Sequence, residues 1–236
     1  MCIKHFEIAF ISILINIKMR GFLMDNNVRW LNEQRILRAI DALGKNNMNG
    51  YLVKDKNELI EKIEEIVSEG SKVACGGSMT LFEIGLIDYF RSGRYDFLDR
   101  YKEGLSAEEV VDIYKGAFTS DAYFTSTNAV TLDGELYNVD GNGNRVAAML
   151  YGPEKVIVIC GANKIVEDLD EAINRVRQIA APANGKRLNK DTPCGKIGTC
   201  KDCSSSERIC NEYTLIRKQG RKDRIHVIFL NENLGY

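Results

Sequence analysis

Apolar positions alternate along the chain between helical and strand spacing, which points to an α/β domain. Val28 to Leu43 reads as a helix with Trp30, Ile36, Leu37, Ile40 and Leu43 along one stripe, and Gly44 supplies an end. Gly50 to Val53 is a short strand. Lys56 to Ser68 is a second amphipathic helix, with Leu59, Ile60, Ile63 and Val67 inward and Gly70 as its stop. Lys72 to Cys75 is a buried strand that runs into Gly76-Gly77-Ser78-Met79-Thr80 and then a helix from Leu81 to Phe90. Tyr95 to Leu98 is a brief strand. Ser106 opens a helix through a capping box with Glu109, and Val110, Ile113, Tyr114 and Phe118 form its inner stripe.

The next stretch is the densest in polar detail. A strand pattern from Ala122 to Val130 carries Ser126, Thr127 and Asn128. Asp133-Gly134 makes a hairpin turn, and Glu135 to Val139 returns. Asp140-Gly141-Asn142-Gly143-Asn144 follows, then Arg145 and a short helix from Val146 to Tyr151 that Gly152-Pro153 ends. Val156 to Cys160 is a fully apolar strand. Leu169 to Ile179 is a helix with acids crowding its first turns, and Arg224 to Leu230 is the last strand. The pattern predicts a three-layer α/β/α domain with a mainly parallel sheet and an inserted antiparallel hairpin.

The length of 236 residues suits one such domain with a small appendage. A net charge of −1 leaves no electrostatic footprint for nucleic acid. Residues 1–23 do not match the rest. Their apolar run, Ile8 to Ile17, is short for a membrane span, and no small-residue cleavage site follows it. A signal-like segment, a docking helix and an upstream start codon are the three readings. The start codon is favoured, because Met24 and the polar Asp25-Asn26-Asn27 look like a beginning, so the domain is taken as 24–236. Of seven cysteines, four crowd one stretch, which fits a reduced, cytoplasmic protein with a local metal site better than a disulfide scaffold.

Two loops carry candidate chemistry. Strand, glycine pair, hydroxyls and helix start at Gly76, Gly77, Ser78 and Thr80 present free N–H groups to an anion, although Ser and Thr also cap many helices that bind nothing. The loop is neither a P-loop nor a dinucleotide fingerprint. The other loop combines Thr127, Asn128, Asp140 and Asn144 with Arg145, whose fork matches a carboxylate. Polar groups at strand ends are where open α/β sheets bind ligands. Histidine offers no general acid or base, since His5 lies in the doubtful terminus and His226 within the last strand. Asp133 or Glu135 is therefore the candidate for proton transfer. Lys164 reads as a solvated surface lysine, with reach into the site as the alternative. Cys75 and Cys160 read as small buried residues.

From about 183 to 212 the chain turns polar and glycine-containing, and something other than a core must order it. Cys194, Cys200, Cys203 and Cys210, spaced C-x(5)-C-x(2)-C-x(6)-C, could close on a zinc ion or an iron–sulfur cluster. Spacing does not separate the two, and a disulfide or free thiols remain as alternatives.

The run TSTNAVTLDGELYNVDGNGNRVAAMLYGP, with GGSMT upstream and TPCGKIGTCKDC downstream, resembles the lactate-utilisation (LUD) domain family from about Val28 to Tyr236. The resemblance implies a fold like that of the ribose-5-phosphate isomerase, glucosamine-phosphate deaminase and CoA-transferase group. In such folds loops like GGSMT grip a substrate phosphate or carboxylate. It also implies a role in oxidising lactate to pyruvate, with a small organic acid as ligand, and in that setting an iron–sulfur cluster is the expected cofactor and other lactate-utilisation subunits the expected partners. A sugar-phosphate isomerase or CoA-transferase-like enzyme is the rival, since a fold does not license a reaction. A non-catalytic metal-bound scaffold or sensor is the third reading.

Overall fold

In the computed structural model, residues 24–236 are described. The N-terminal extension, with Ile8 to Ile17, Cys2 and His5, lies outside them. Six strands form the main sheet in the order β1-β10-β7-β4-β2-β3: β1 (Asn49–Val53), β10 (Ile225–Leu230), β7 (Lys155–Gly161), β4 (Ala122–Thr125), β2 (Lys72–Cys75) and β3 (Asp96–Leu98). Every neighbouring pair is parallel. A parallel sheet must be covered on both faces, and the strands show it. Val156, Val158 and Cys160 of β7 face one apolar cluster, while Ile157 and Ile159 face another. Helices α1 (Asn26–Lys45) and α6 (Asn144–Leu150) cover the first face; α2 (Lys56–Ile66), α3 (Met79–Glu83) and α4 (Leu86–Phe90) cover the second. This is the expected three-layer α/β/α arrangement.

The hairpin forms a second sheet on the first face, in the order β8-β5-β6-β9: β8 (Ile165–Val166), β5 (Ala129–Thr131), β6 (Leu136–Asp140) and β9 (Glu212–Ile216). Its outer side packs Ala129, Tyr137 and Val166 against Ala172 and Val176. Those two come from α7 (Leu169–Arg175) and the π turn Val176–Ala180 that leads into α8 (Ala181–Arg187). Pro182 has no N–H to give one turn back, so the helix widens there and continues instead of ending at Ile179. The polar lobe therefore begins after Arg187 rather than at 183. It holds one short helix, α9 (Pro193–Ile197).

Other expectations shift for local reasons. The strand expected from Ala122 to Val130 is two strands in two sheets. Between them Thr127 Oγ1 donates to the carbonyls of Ala129 and Tyr137, and Asn128 Oδ1 accepts from Val139 N, so side chains replace the ladder there. The helix expected from Leu81 to Phe90 breaks at Gly85, whose φ of 72° is a left-handed cap. On α1 the buried stripe is Ile36, Ala39 and Leu43, while Trp30 is 62% exposed and Leu37 faces outward too. Helix α5 (Ala107–Gly116) keeps its capping box but buries none of its stripe fully.

Candidate active site

Because β2, β4, β7 and β10 run parallel, their C-terminal ends share one edge of the sheet. The residues leaving those ends are Gly76–Ser78, Ser126–Asn128, Gly161–Lys164 and the segment 231–236. A cavity of about 520 Å³ opens there, and both predicted loops line it. Gly77 and Ser78 come from one side; Thr127, Asn128, Asp140, Asn144 and Arg145 come from the other.

The residues within this edge do different work. Gly76 gives its N–H to Phe124 O and stays behind the cavity wall. A Cβ there would lie 2.9 Å from both Arg145 Cγ and Tyr123 Oη, so glycine is needed for Arg145 to pass. Ser78 caps α3 by accepting from Leu81 N at 3.4 Å. Helix α3 spans only five residues, so its dipole adds little to an anion site. Thr80 is fully buried and donates to Leu234 O.

Arg145, the expected partner of a substrate carboxylate, is committed to the protein. It donates to Asn138 Oδ1 at 2.6 Å, Ser126 O at 3.0 Å and Asn128 Oδ1 at 3.2 Å, and its Nη2 pairs with Asp140 at 2.5 Å. Asp140 also accepts from Val146 N, which ties the start of α6 to β6. This buried network fixes the segment after β4 to the segment after β6. Asn138 is wholly buried at its centre, and its Nδ2 has no partner among the described residues.

Lys164 is the larger correction. It is 2% exposed, not solvated, and it lines the cavity. Its Nζ donates to Thr80 Oγ1 and Ser126 Oγ, each at 2.9 Å. Neither partner is a carboxylate. Its ammonium is pulled from 10.5 down to about 8, chiefly by burial, with Arg175 and Arg145 adding to the fall and Cys160 and Glu83 opposing it. Arg175 is itself buried and donates to Asn128 O and Asn163 O, so it braces two of the four strand ends.

The expected proton-transfer residues are elsewhere. Asp133 is exposed at the hairpin tip, where its carbonyl accepts from Asn46, and Glu135 pairs with Arg217 at 2.8 Å. The tip is pressed against α1: a Cβ on Gly134 would lie 2.5 Å from backbone atoms of Ala42 and Leu43. Neither carboxylate lines the cavity. The turn must be tight and polar to sit on the end of α1, and that explains its sequence without chemistry.

The lobe adds to the cavity wall through Glu207, Arg208 and Ile209, beside the asparagine-rich loop, whose Asp140 and Gly141 carbonyls accept from Asn211. Arg208 donates to the carbonyls of Cys203 and Cys210 and pairs with Asp202. Cys194 is buried, Cys200, Cys203 and Cys210 are half-buried, and all four are free thiols. Burial raises the Cys210 thiol; Arg208 lowers it, and Cys200 and Cys194 are near enough to raise it again. Among the described residues, no group of three or more His, Cys, Asp or Glu is placed to hold a metal ion. As arranged, the four thiols do not make a metal shell, and no chemistry is derived through one. Cys75 and Cys160 sit in the core as expected, with thiols pushed up by burial to about 12 and about 11.

Sequence reasoning left Ser126, Asn138 and Arg175 out of the site and kept Lys164 only as an alternative. A signal existed for two of them. Asn138 interrupts an apolar return strand, and Lys164 is the first charge after the apolar run of β7. Among the described residues no helix is long and apolar enough to cross a membrane.

Together these features define a parallel α/β domain with a cationic cavity at its strand ends. Residues 36–230 match the family described as LUD domain, and the chain belongs to that family. It is also similar in structure to a DUF162 family protein from Deinococcus radiodurans, known from its crystal structure. That protein is 14% identical, with a TM-score of 0.47 over 86% of this chain and 98% of that one. No curated protein matches this chain.

Proposed function

We propose that the cavity binds a small organic acid as its anion, and that the chain serves lactate utilisation, with lactate or pyruvate as the ligand. The observation that carries this reading is Lys164. An ammonium held at a cavity wall by two neutral hydroxyls has no countercharge among its hydrogen-bond partners, and a ligand carboxylate would supply one. Membership of the LUD domain family supports the choice of acid. Gly77, Ser78, Thr127 and Asn144 surround the ligand with polar groups. Arg145 and Asp140 hold the walls in register rather than touch it. Calorimetry and thermal-shift titration with lactate, pyruvate, sugar phosphates and CoA esters test the reading. Lactate or pyruvate should stabilise the protein; a response to CoA esters or sugar phosphates alone would overturn it.

A second reading has its own support. The cavity is far larger than a three-carbon acid, and Arg100, Arg187, Lys190 and Arg208 also line it. That favours a bulkier anion, as a sugar-phosphate isomerase or CoA-transferase-like enzyme would bind, and the same titration separates the two. For the lobe, the cysteine spacing still supports an iron–sulfur cluster, with zinc as the alternative. Its contact with the cavity wall supports a shared role. Elemental analysis and absorbance after anaerobic purification test this, and no step of the binding reading passes through it.

A further inference from the structure

A buried lysine with hydroxyl partners can do more than carry charge. Lys164 has Thr80 Oγ1 and Ser126 Oγ at 2.9 Å; Thr80 gives its own proton to Leu234 O, and Ser126 gives its own to Thr127 O over a longer 3.4 Å. When the amine is neutral, its lone pair is free. The titratable groups that act on it come from four elements: Cys160 from β7, a neutral thiol at pH 7, Arg175 from α7, Arg145 from α6 and Glu83 from α3. Arg145 and Arg175 are spent on protein acceptors, so they disfavour the ammonium without needing it as a partner. These are the conditions under which lysine becomes a nucleophile: a desolvated amine beside fixed cations, opening on a cavity.

We infer that Lys164 forms a covalent imine with the carbonyl carbon of a 2-oxo acid bound in this cavity. The inference rests on the organic-acid reading and names its reactive form. In the step, the Nζ lone pair attacks the keto carbon and a C–N bond forms. The carbonyl π pair moves to oxygen. One proton passes from nitrogen to that oxygen, by way of the Ser126 hydroxyl, to give the carbinolamine. A proton from solvent then lets the hydroxyl leave as water and the nitrogen lone pair form the C=N bond, which leaves the protonated imine, with no oxidant or reductant required. The positive nitrogen draws electrons from the neighbouring carbons, so the site can labilise a bond next to the former carbonyl. A depressed pKa supports the step: at pH 7 roughly a tenth of the amine is already neutral, and about half is near pH 8.

Reductive trapping tests this on the full chain. Protein, pyruvate and cyanoborohydride are incubated at several pH values, followed by intact mass measurement and peptide mapping. The expected result is one adduct, heavier by pyruvic acid less one oxygen, on the peptide containing Lys164. Its initial rate should rise severalfold between pH 7 and pH 8. Lactate has no keto group, so it should give no adduct and should slow trapping as a competitor. Lys164→Arg should give no adduct; if that variant does not fold, mapping of the wild type decides alone. The inference is overturned if no adduct forms, or if adducts spread over the surface lysines as they do in urea-unfolded protein. Calorimetry with lactate keeps the two claims apart: lactate binding without pyruvate trapping would remove the imine and leave the anion site standing.

Discussion

Replacing Arg145 by alanine separates a structural guanidinium from a ligand-binding one. The side chain is 11% exposed and its partner Asp140 6%. Truncation removes the donors to Ser126 O, Asn138 Oδ1 and Asn128 Oδ1 and leaves the Asp140 carboxylate buried without its cation. Breaking a buried pair in this way costs about 3–5 kcal/mol. For a chain of this length that corresponds to a fall in Tm on the order of 10 °C. Arg145→Lys keeps the charge but loses the fork, and should fall between the two. Urea unfolding and thermal melts of all three proteins, without ligand, provide the assay. If Arg145→Ala melts within about 1 °C of wild type, a range in which surface substitutions usually stay, and yet no longer binds lactate or pyruvate, the guanidinium is a ligand group and its description as a brace is wrong.

The other expectations are narrower. Lys164→Met should be more stable than wild type at pH 7 by about 3 kcal/mol, because a lysine whose folded pKa is lowered destabilises the fold while both states are protonated. That gap should close as pH rises from about 8 to 10.5, and urea unfolding across this range checks it; a constant gap would mean the lysine is not desolvated. Gly134→Ala should destabilise by more than about 2 kcal/mol, since a φ of 76° and a Cβ 2.5 Å from the α1 backbone both oppose it; a melt unchanged from wild type would show the hairpin tip to be loose. If the lobe holds a cluster or zinc, Cys203→Ser should lower the iron or zinc content by elemental analysis, and equal content in variant and wild type would remove Cys203 from the ligand set.

The sequence made the layers readable where one physical requirement set the pattern. Strands β7 and β10 are buried on both faces, and their apolar runs, interrupted only by His226 in β10, show it. The capping box at Ser106 and the turn at Gly134 are local devices visible in a few residues. The site was legible only in outline. GGSMT and the asparagine-rich loop do meet, because β2 and β4 end at the same edge and Arg145 ties the loop after β6 to the end of β4 through Ser126 O. Roles within the site were not legible, since they depend on contacts across the sheet. Arg145 looks like a carboxylate fork until Asn138 and Asp140 are found around it. Lys164 looks solvated because it follows Gly161, Ala162 and Asn163 just past an apolar run; the pairing of β8 with β5 and the crossing of the segment 231–236 help to bury it. Asp133 and Glu135 look like chemistry because a tight turn and a catalytic loop draw on the same residue types.

The most direct test is calorimetric titration of lactate and pyruvate into wild type and Lys164→Met at pH 7. A charge-assisted bond from Lys164 predicts measurable binding to wild type and a loss of roughly tenfold or more in the variant, the equivalent of about 1.5–3 kcal/mol. Equal affinity in the two proteins, or no binding of either acid to wild type, would contradict the claim that this cavity is built around a ligand carboxylate.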